Sequence, residues 1–374
     1  MSNKTILVLG GYGSTGKVFC QYLLKETSAN VVIGGRKIEK AEELANKLKR
    51  EFPQDRISTQ YVDASDAESL RKAFVNIDFV LVASTTAKWA KQIAELALEA
   101  NIDYLDVYFQ QDVYPILETL KQQITDAGRC FITQSGFHPG MPAAYVREGA
   151  QYFDKYEKAI VAFAMNVRVE KSESVYELLE AFLDYKPEIY QNGEWKIGTF
   201  NDTIMIDYGN QFGVKASMSL DLIELRPLPK MYGLQEAGVY TTGFNWFVDY
   251  IFFPLFMMSQ AVKKKSLWRF FAWLFVFGIN NFSSNKEGVV MLLQAEGEKD
   301  GKRRKVKIIS EHDNAYDFTV IPVVACLKQL FTGSLNKPGL WMMGHLVDTS
   351  KLFTDMEKMG VITSISTQNS NQNL

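Results

Sequence analysis

Several common kinds of chemistry lack their raw materials in this 374-residue chain. Three cysteines, Cys20, Cys130 and Cys326, are odd in number and far apart, which argues against a disulfide framework or a zinc site and suits a reducing, cytoplasmic setting. Only three histidines occur, at positions 138, 312 and 345, too scattered for a metal motif. Neither His-Glu-x-x-His nor Gly-x-Ser-x-Gly appears, so metallohydrolase and serine-hydrolase mechanisms fall away and no metal is expected. Tyr-x-x-x-Lys is also missing, and with it one familiar acid–base pair of dehydrogenases. Charge is nearly balanced, with 41 basic against 43 acidic residues and a net −2, so no global field draws the chain to nucleic acid or to an acidic membrane. The N-terminal stretch MSNKTILVLGGYG is short in apolar residues for a secretory signal, and nothing is expected to be cleaved.

What is present is a glycine-rich turn. The apolar run Ile6–Leu9 ends in Gly10-Gly11-Tyr12-Gly13-Ser14-Thr15-Gly16, and a helical pattern follows. Gly11, Gly13 and Gly16 fit G-x-G-x-x-G, whose glycines serve a tight turn, close approach to a pyrophosphate and helix–strand packing. Tyr12, Ser14 and Thr15 complete this candidate cradle. Gly11 to Lys17 also spells the first seven positions of a P-loop. The eighth should be Ser or Thr to hold magnesium and is Val18, so a dinucleotide is favoured over a nucleoside triphosphate.

Through the first third of the chain, strand-like runs near 4–10, 30–33, 57–62, 78–83, 102–107 and 129–134 alternate with helical stretches near 14–26, near 37–50, after Asp66, after Thr86 to about 100, and near 112–126. This βαβ rhythm predicts one Rossmann-type domain, an α/β fold with a doubly wound parallel sheet. Asp66 is a candidate cap for the third helix. At the end of the second strand an acidic residue would hold a ribose 2′-OH. Arg36 stands there with Lys37 beside it, a pair suited to a 2′-phosphate, so NADP is favoured over NAD. Asp63 is a candidate for the adenine edge or a strand-end cap. Ser84 and Thr85, ending the fourth strand, lie where such sheets bind ligand or cap the next helix.

Beyond these runs, VVIGGR ending at Arg36, Asp103-Tyr104-Leu105-Asp106, and Ser135-Gly136-Phe137-His138-Pro139-Gly140-Met141-Pro142 resemble the saccharopine dehydrogenase family. So do Asp317-Phe318-Thr319, Thr332-Gly333, Lys337-Pro338-Gly339 and the stretch from Gly344 to Gly360. The resemblance covers both ends of the chain and the middle only vaguely. It implies an N-terminal Rossmann domain with NAD(P), an inserted α+β domain with a mixed sheet, C-terminal helices returning to the first domain, and NADP-linked redox chemistry at a C–N or C–O bond. It places Tyr104 and Asp106 near the substrate, with strand-end packing as their other reading. Relatives tend to carry an acidic residue in the G-x-D-P-G segment, where this chain has His138. The family label therefore fits better than the specific substrate.

From about Tyr156 dense alternation replaces the βαβ rhythm. A helix is expected over 174–183, an Asn192-Gly193 hairpin, and strands near 203–208, 216–225, 288–296 and 303–310, the last two joined at Asp300-Gly301. The basic run Lys302–Lys307 alternates with Val306 and Ile308 and reads as a solvated strand face. Between 244 and 282 lie two apolar, aromatic segments separated by Lys263-Lys264-Lys265. Each is short of the ~20 residues a bilayer span needs. A homodimer interface, an in-plane membrane hairpin and ordinary core all remain open for this arm.

The expected layout is thus a dinucleotide domain over 1–136, a substrate and dimerisation domain over 137–317, returning helices over 318–363 and a polar, disordered tail over 364–374. The expected activity is hydride transfer between NADP(H) and a small-molecule substrate, with His138, Tyr104 and Asp106 as candidate catalytic residues and Arg226 as a candidate carboxylate clamp. The alternative is an inactive NADP-binding, redox-responsive interaction protein with peripheral membrane contact through 244–282.

Overall fold

The computed structural model describes residues 4–169, 173–183, 187–199, 202–209, 211–262, 265–335 and 337–370. Two compact units emerge, Met1–Ala144 with Tyr316–Met359, and Tyr145–Ala315 with Gly360–Leu374. The boundaries expected at 136 and 317 thus fall at 144 and 315. Gly136 and Pro139 punctuate a loop at the sheet edge of unit one, and the chain leaves that unit only within the helix Met141–Ala150.

Unit one is built on β1 (Thr5–Leu9), β2 (Asn30–Gly35), β3 (Ile57–Tyr61), β4 (Phe79–Val82), β5 (Asp103–Asp106), β6 (Cys130–Thr133) and β15 (Gly339–Met342). Among the described residues they form a seven-stranded sheet in the order β15-β6-β5-β4-β1-β2-β3, every pairing parallel. The order reverses between β1 and β4, which is where open α/β sheets bind ligand. Ile6 to Leu9 and Phe79 to Val82 are buried throughout, as expected of strands covered on both faces. Asp66 caps its helix, accepting the Glu68 N–H at 2.9 Å. The helix expected over 112–126 is two, Val113–Glu118 and Lys121–Asp126. Between them Thr119 turns its hydroxyl onto the Ile116 carbonyl at 2.6 Å, a local bond that competes with helix continuation. The returning segment contributes helices Ala315–Phe331, Met343–Leu346 and Thr349–Lys358, together with β15, a four-residue strand too short for its pattern to be read.

Unit two holds β7 (Lys155–Asn166), β8 (Glu188–Gln191), β9 (Glu194–Ile197), β10 (Ile204–Asp207), β11 (Val214–Leu220), β12 (Glu236–Thr242), β13 (Gly288–Lys299), β14 (Lys302–His312) and β16 (Ile362–Ser370). The path runs β10-β11-β12-β7-β13-β14-β16, with β8 and β9 attached at β12. Among the described residues only β12 and β7 pair in parallel, so the sheet is mixed. Both expected hairpins form. Asn192 and Gly193 at φ 54° and 84°, and Asp300 and Gly301 at φ 52° and 69°, take the left-handed pairs such turns need. On β14, Arg303 pairs with Glu157 and Lys305 with Glu296, so the basic run is a charged strand face.

One expectation changes. The tail is not disordered from 364, because Ile362–Ser370 adds nine paired positions to β14. A polar strand with Ile362 and Ile365 can occupy a sheet edge, where backbone hydrogen bonds rather than apolar burial hold it. Residues 371–374 lie outside the described residues. The arm is helical, with a π-helical turn Val248–Phe252 and helices Phe253–Val262 and Trp268–Phe282. Its inner side is a cluster around Phe252, Phe256, Phe271 and Phe275, and Lys263 and Lys264 lie outside the described residues.

Removal of 362–374 uncovers the backbone edge of β14 along its whole length, and unpaired edges recruit other strands. The truncated protein is expected to self-associate in sedimentation velocity where the full chain does not; identical behaviour of the two would show that β16 does not protect this edge.

Candidate dinucleotide site

The glycine turn is set by contacts between main chains. Gly10 leaves β1 at φ 84°, and a Cβ there would stand 2.7 Å from the Ala83 carbonyl oxygen. A Cβ on Gly16 would come within 2.0 Å of the Gly10 carbonyl oxygen, so the helix Ser14–Glu26 can start this close to the strand end only with glycine at that position. Gly10, a neighbour the G-x-G-x-x-G spacing passes over, takes the positive φ, and the turn runs on through Gly11 to Gly13, which donates back to Gly10.

The N–H groups divide cleanly. Gly10 and Gly11 donate to the Gly34 carbonyl at 2.9 and 3.1 Å, and Gly13 donates to Gly10 at 2.9 Å. The first turn of the helix keeps its N–H groups at Ser14, Thr15 and Gly16, since intrahelical bonding begins with Lys17 donating to Gly13 at 3.0 Å. That turn has no acidic residue and no side-chain cap. At the opposite end Arg56 donates to the carbonyls of Leu24, Thr27 and Ala29 at 2.7–3.1 Å, a cation placed against the negative end of the helix dipole. The positive end stays unneutralised and open to an anion. The donor set suits a diphosphate, and a dinucleotide fits this turn.

Arg36 and Lys37 follow β2 and are exposed. The Tyr12 ring covers Gly35, where a Cβ would meet it at 2.5 Å, and the Lys37 N–H donates to Tyr12 Oη at 3.0 Å. Tyr12 thus fixes where the basic pair leaves the strand. Asp63, after β3, accepts from the Ser65 N–H at 2.9 Å and the Ser65 hydroxyl at 2.7 Å. Those bonds, helped by Arg36, hold its carboxyl below the usual range. Arg36 itself makes no ion pair among the described residues.

Ser84 packs its Cβ against Gly10, and its hydroxyl begins a chain to Thr86 Oγ1 at 2.9 Å and on to Tyr108 Oη at 2.8 Å. Thr85 stands between them. Thr86 and Tyr108 were not singled out from the sequence. The alternation Tyr104, Asp106, Tyr108 across the end of β5 could have found the second, since every other residue of a strand shares a face.

Tyr104 and Asp106 are wholly buried. Tyr104 Oη donates to Asp106 Oδ2 at 2.9 Å, Thr133 Oγ1 donates to Oδ1 at 2.9 Å, and the Tyr108 N–H donates to Oδ1 at 3.3 Å. Burial pushes the Asp106 carboxyl from 3.8 up to about 7, against the pull of these hydrogen bonds. The expected substrate contact from both residues is therefore replaced by positioning, because neither side chain has surface to offer a ligand.

His138 lies in the loop after β6, where Gln134, Gly136 and Gly140 have φ of 51°, 134° and 119°. Its ring packs edge-on against Phe137 at 4.6 Å and Phe109 at 6.0 Å. Burial lowers its imidazole from 6.5 to about 4, so it is neutral near pH 7. In the same loop Gln134 Oε1 and Ser135 Oγ are buried with no hydrogen-bond partner among the described residues, the kind of polar atom a bound molecule satisfies. Arg226 lies in unit two, where it pairs with Glu188 and Asp221 and stacks on Trp195 at 4.3 Å, so its donors are engaged there. No metal cluster of His, Cys, Asp and Glu occurs among the described residues.

Residues 6–132 match the family described as the saccharopine dehydrogenase NADP binding domain. The chain is similar to saccharopine dehydrogenases. Apo saccharopine dehydrogenase (L-Glu forming) from Saccharomyces cerevisiae superposes with a TM-score of 0.70 at 14% identity over 98% of this chain and 100% of that one, which shows a shared fold. A mutant meso-DAP dehydrogenase from Clostridium tetani, crystallised with DAP, gives a TM-score of 0.48 at 11% identity over 93% of this chain and 95% of that one. No curated protein matches in sequence. The expectations of this family resemblance and of an α/β Rossmann fold with a second, mixed-sheet unit are met, and NADP is the coenzyme that the matched domain is described as binding.

The Asp106 carboxyl supplies a pH test. Unfolded, it ionises near 3.8; folded, not until about 7. The folded state holds the proton more tightly, so its stabilising effect is complete below about pH 4 and is lost as the pH rises through 7. Asp106→Asn removes that slope, which at most amounts to about 4 kcal/mol. Urea unfolding from pH 4 to 8 is expected to show wild-type stability falling relative to the variant; parallel profiles would show that Asp106 ionises normally.

Proposed function

We propose that this chain is an oxidoreductase that holds NADP(H) at the β1/β4 reversal and transfers hydride at a C–N or C–O bond of a small substrate. The observation that carries the reading is the uncapped first turn of Ser14–Glu26, with no acidic residue, beside an Arg36 that has no ion-pair partner among the described residues. When bound, the coenzyme supplies the hydride donor or acceptor. Ser14, Thr15 and Gly16 direct N–H groups at its diphosphate, and Arg36 with Lys37 faces its 2′-phosphate. Asp63, already engaged by Ser65, lies at the adenine end. Ser84, Thr85, Thr86 and Tyr108 line the edge from which a substrate is oriented. His138, neutral near pH 7, accepts a proton from the reacting heteroatom or hydrogen-bonds to it. Asp106, itself held by Tyr104, holds the Tyr108 N–H and the Thr133 hydroxyl behind that edge.

A second reading, NADP binding without turnover, is favoured by the burial of Tyr104 and Asp106, which leaves His138 as the one catalytic candidate of the three with exposed surface. Following NADPH absorbance across a panel of amino acids, oxo acids, amines and carbonyl compounds separates the two. NADP+ reduction with the amino acids or amines, or NADPH oxidation with the oxo acids or carbonyl compounds, supports the enzyme; neither, with tight NADPH binding, supports the binder.

Two substitutions test the roles. Arg36→Asp is expected to weaken NADPH binding by about 10- to 100-fold in fluorescence titration while NADH affinity stays within about threefold, as loss of a charge-assisted pair predicts; equal loss for both coenzymes would remove Arg36 from the 2′-phosphate. With a substrate from the panel, His138→Ala is expected to lower kcat by about 100-fold at unchanged NADPH affinity. Full retention of kcat would take His138 out of the mechanism.

A further inference from the structure

We propose that the helical arm of unit two lies in the plane of an anionic bilayer surface, its exposed helix faces seated at the level of the headgroups. Helix Trp268–Phe282 buries Phe271, Phe275 and Ile279 and exposes Arg269, Phe270, Trp273 and Phe277, so one face is core and the other aromatic. Helix Phe253–Val262 has no charged residue and buries only Phe256 and Gln260. Around that narrow seam it exposes Leu255, Met257, Met258 at 68% and Val262 at 89%. With Trp246, Tyr250, Phe270 and Trp273 about half or more exposed, and roughly 150–250 Å² to each aromatic side chain, several hundred Å² of apolar surface stand open. Soluble monomers seldom show a patch of that size without a use for it.

Charge selects the occupant. From Tyr250 to Lys286 the chain has five basic residues, Lys263, Lys264, Lys265, Arg269 and Lys286, and not one Asp or Glu. The flanking Asp249 is turned inward and accepts the Phe244 N–H at 2.9 Å. Lys265 pairs with Glu180, while exposed Arg269 and Lys286 make no ion pair among the described residues. A two-fold pairing of this arm with a second copy would set the same basic cluster against itself. An anionic lipid surface complements it, with indoles and lysines at the headgroups and the Leu, Met and Phe side chains below. Among the described residues no helix is long and apolar enough to cross a membrane, so the contact is in-plane.

Flotation of the full chain with extruded vesicles tests this. Binding is expected to rise at least about tenfold from phosphatidylcholine alone to phosphatidylcholine with about one third phosphatidylglycerol, and to fall with added salt. Trp273→Asp should abolish it. So should Met258→Asp with Val262→Asp, at two of the most exposed positions, where folding is least disturbed; unchanged NADPH affinity serves as the check on unit one. Equal binding to both vesicle types overturns the proposal. So does absence of binding, whether the chain is monomeric or forms a dimer that these substitutions break in sedimentation velocity.

Discussion

The approach of Gly16 to Gly10 governs how the dinucleotide domain works. A helix that begins where a side chain would sit 2.0 Å from a carbonyl oxygen has its first turn pressed against the end of β1. Its unbonded N–H groups are thereby fixed at the sheet edge where the strand order reverses. Nothing flexible intervenes between strand and helix, so the donors are oriented before any ligand arrives, and little ordering remains to oppose binding. Arg56 at the far end strengthens the arrangement, because it answers the negative pole of the helix and leaves the positive pole to the ligand.

Behind that edge the domain tolerates a buried carboxyl. Asp106 sits among Tyr104, Thr133 and the Tyr108 and Gln134 backbones, and its ionisation is held near neutrality by burial working against four hydrogen bonds. An apolar residue of the same size would avoid the desolvation cost but could not hold the Tyr108 N–H and the Thr133 hydroxyl at the ends of β5 and β6. The polar network specifies geometry where packing alone would leave several arrangements close in energy.

Much of this was legible in the sequence for definite reasons. Strands covered on both faces are continuous apolar runs, so β1, β2 and β4 stand out, and Asn192-Gly193 and Asp300-Gly301 announce hairpins because few other pairs adopt positive φ twice in succession. The glycine spacing located the turn but passed over Gly10, whose positive φ and closeness to the Ala83 backbone only the fold shows. β15 and β16 escaped detection because an edge strand borrows its stability from an existing partner and needs no apolar alternation of its own. Depth was the other hidden quantity: Tyr104, Asp106 and His138 are polar residues at strand ends, and the sequence does not say whether such an end opens to solvent or closes behind a neighbouring loop.

Arg36 and Arg226 show the same limit from the side of charge. Both are arginines near a strand or turn end, each suited on paper to an anionic group. In the fold Arg226 is flanked by Asp221 and Glu188 and lies over the Trp195 ring, so its donors and its flat face are already occupied. An incoming carboxylate would have to displace two carboxylates that are covalently tethered nearby, a competition it loses on effective concentration alone. Arg36 has only the weak, solvent-screened influence of Asp63, whose own oxygens are engaged by Ser65. Exposed and in no ion pair among the described residues, the Arg36 guanidinium follows a strand end that the Tyr12 and Gly35 contact fixes, and its donors are not already engaged as those of Arg226 are.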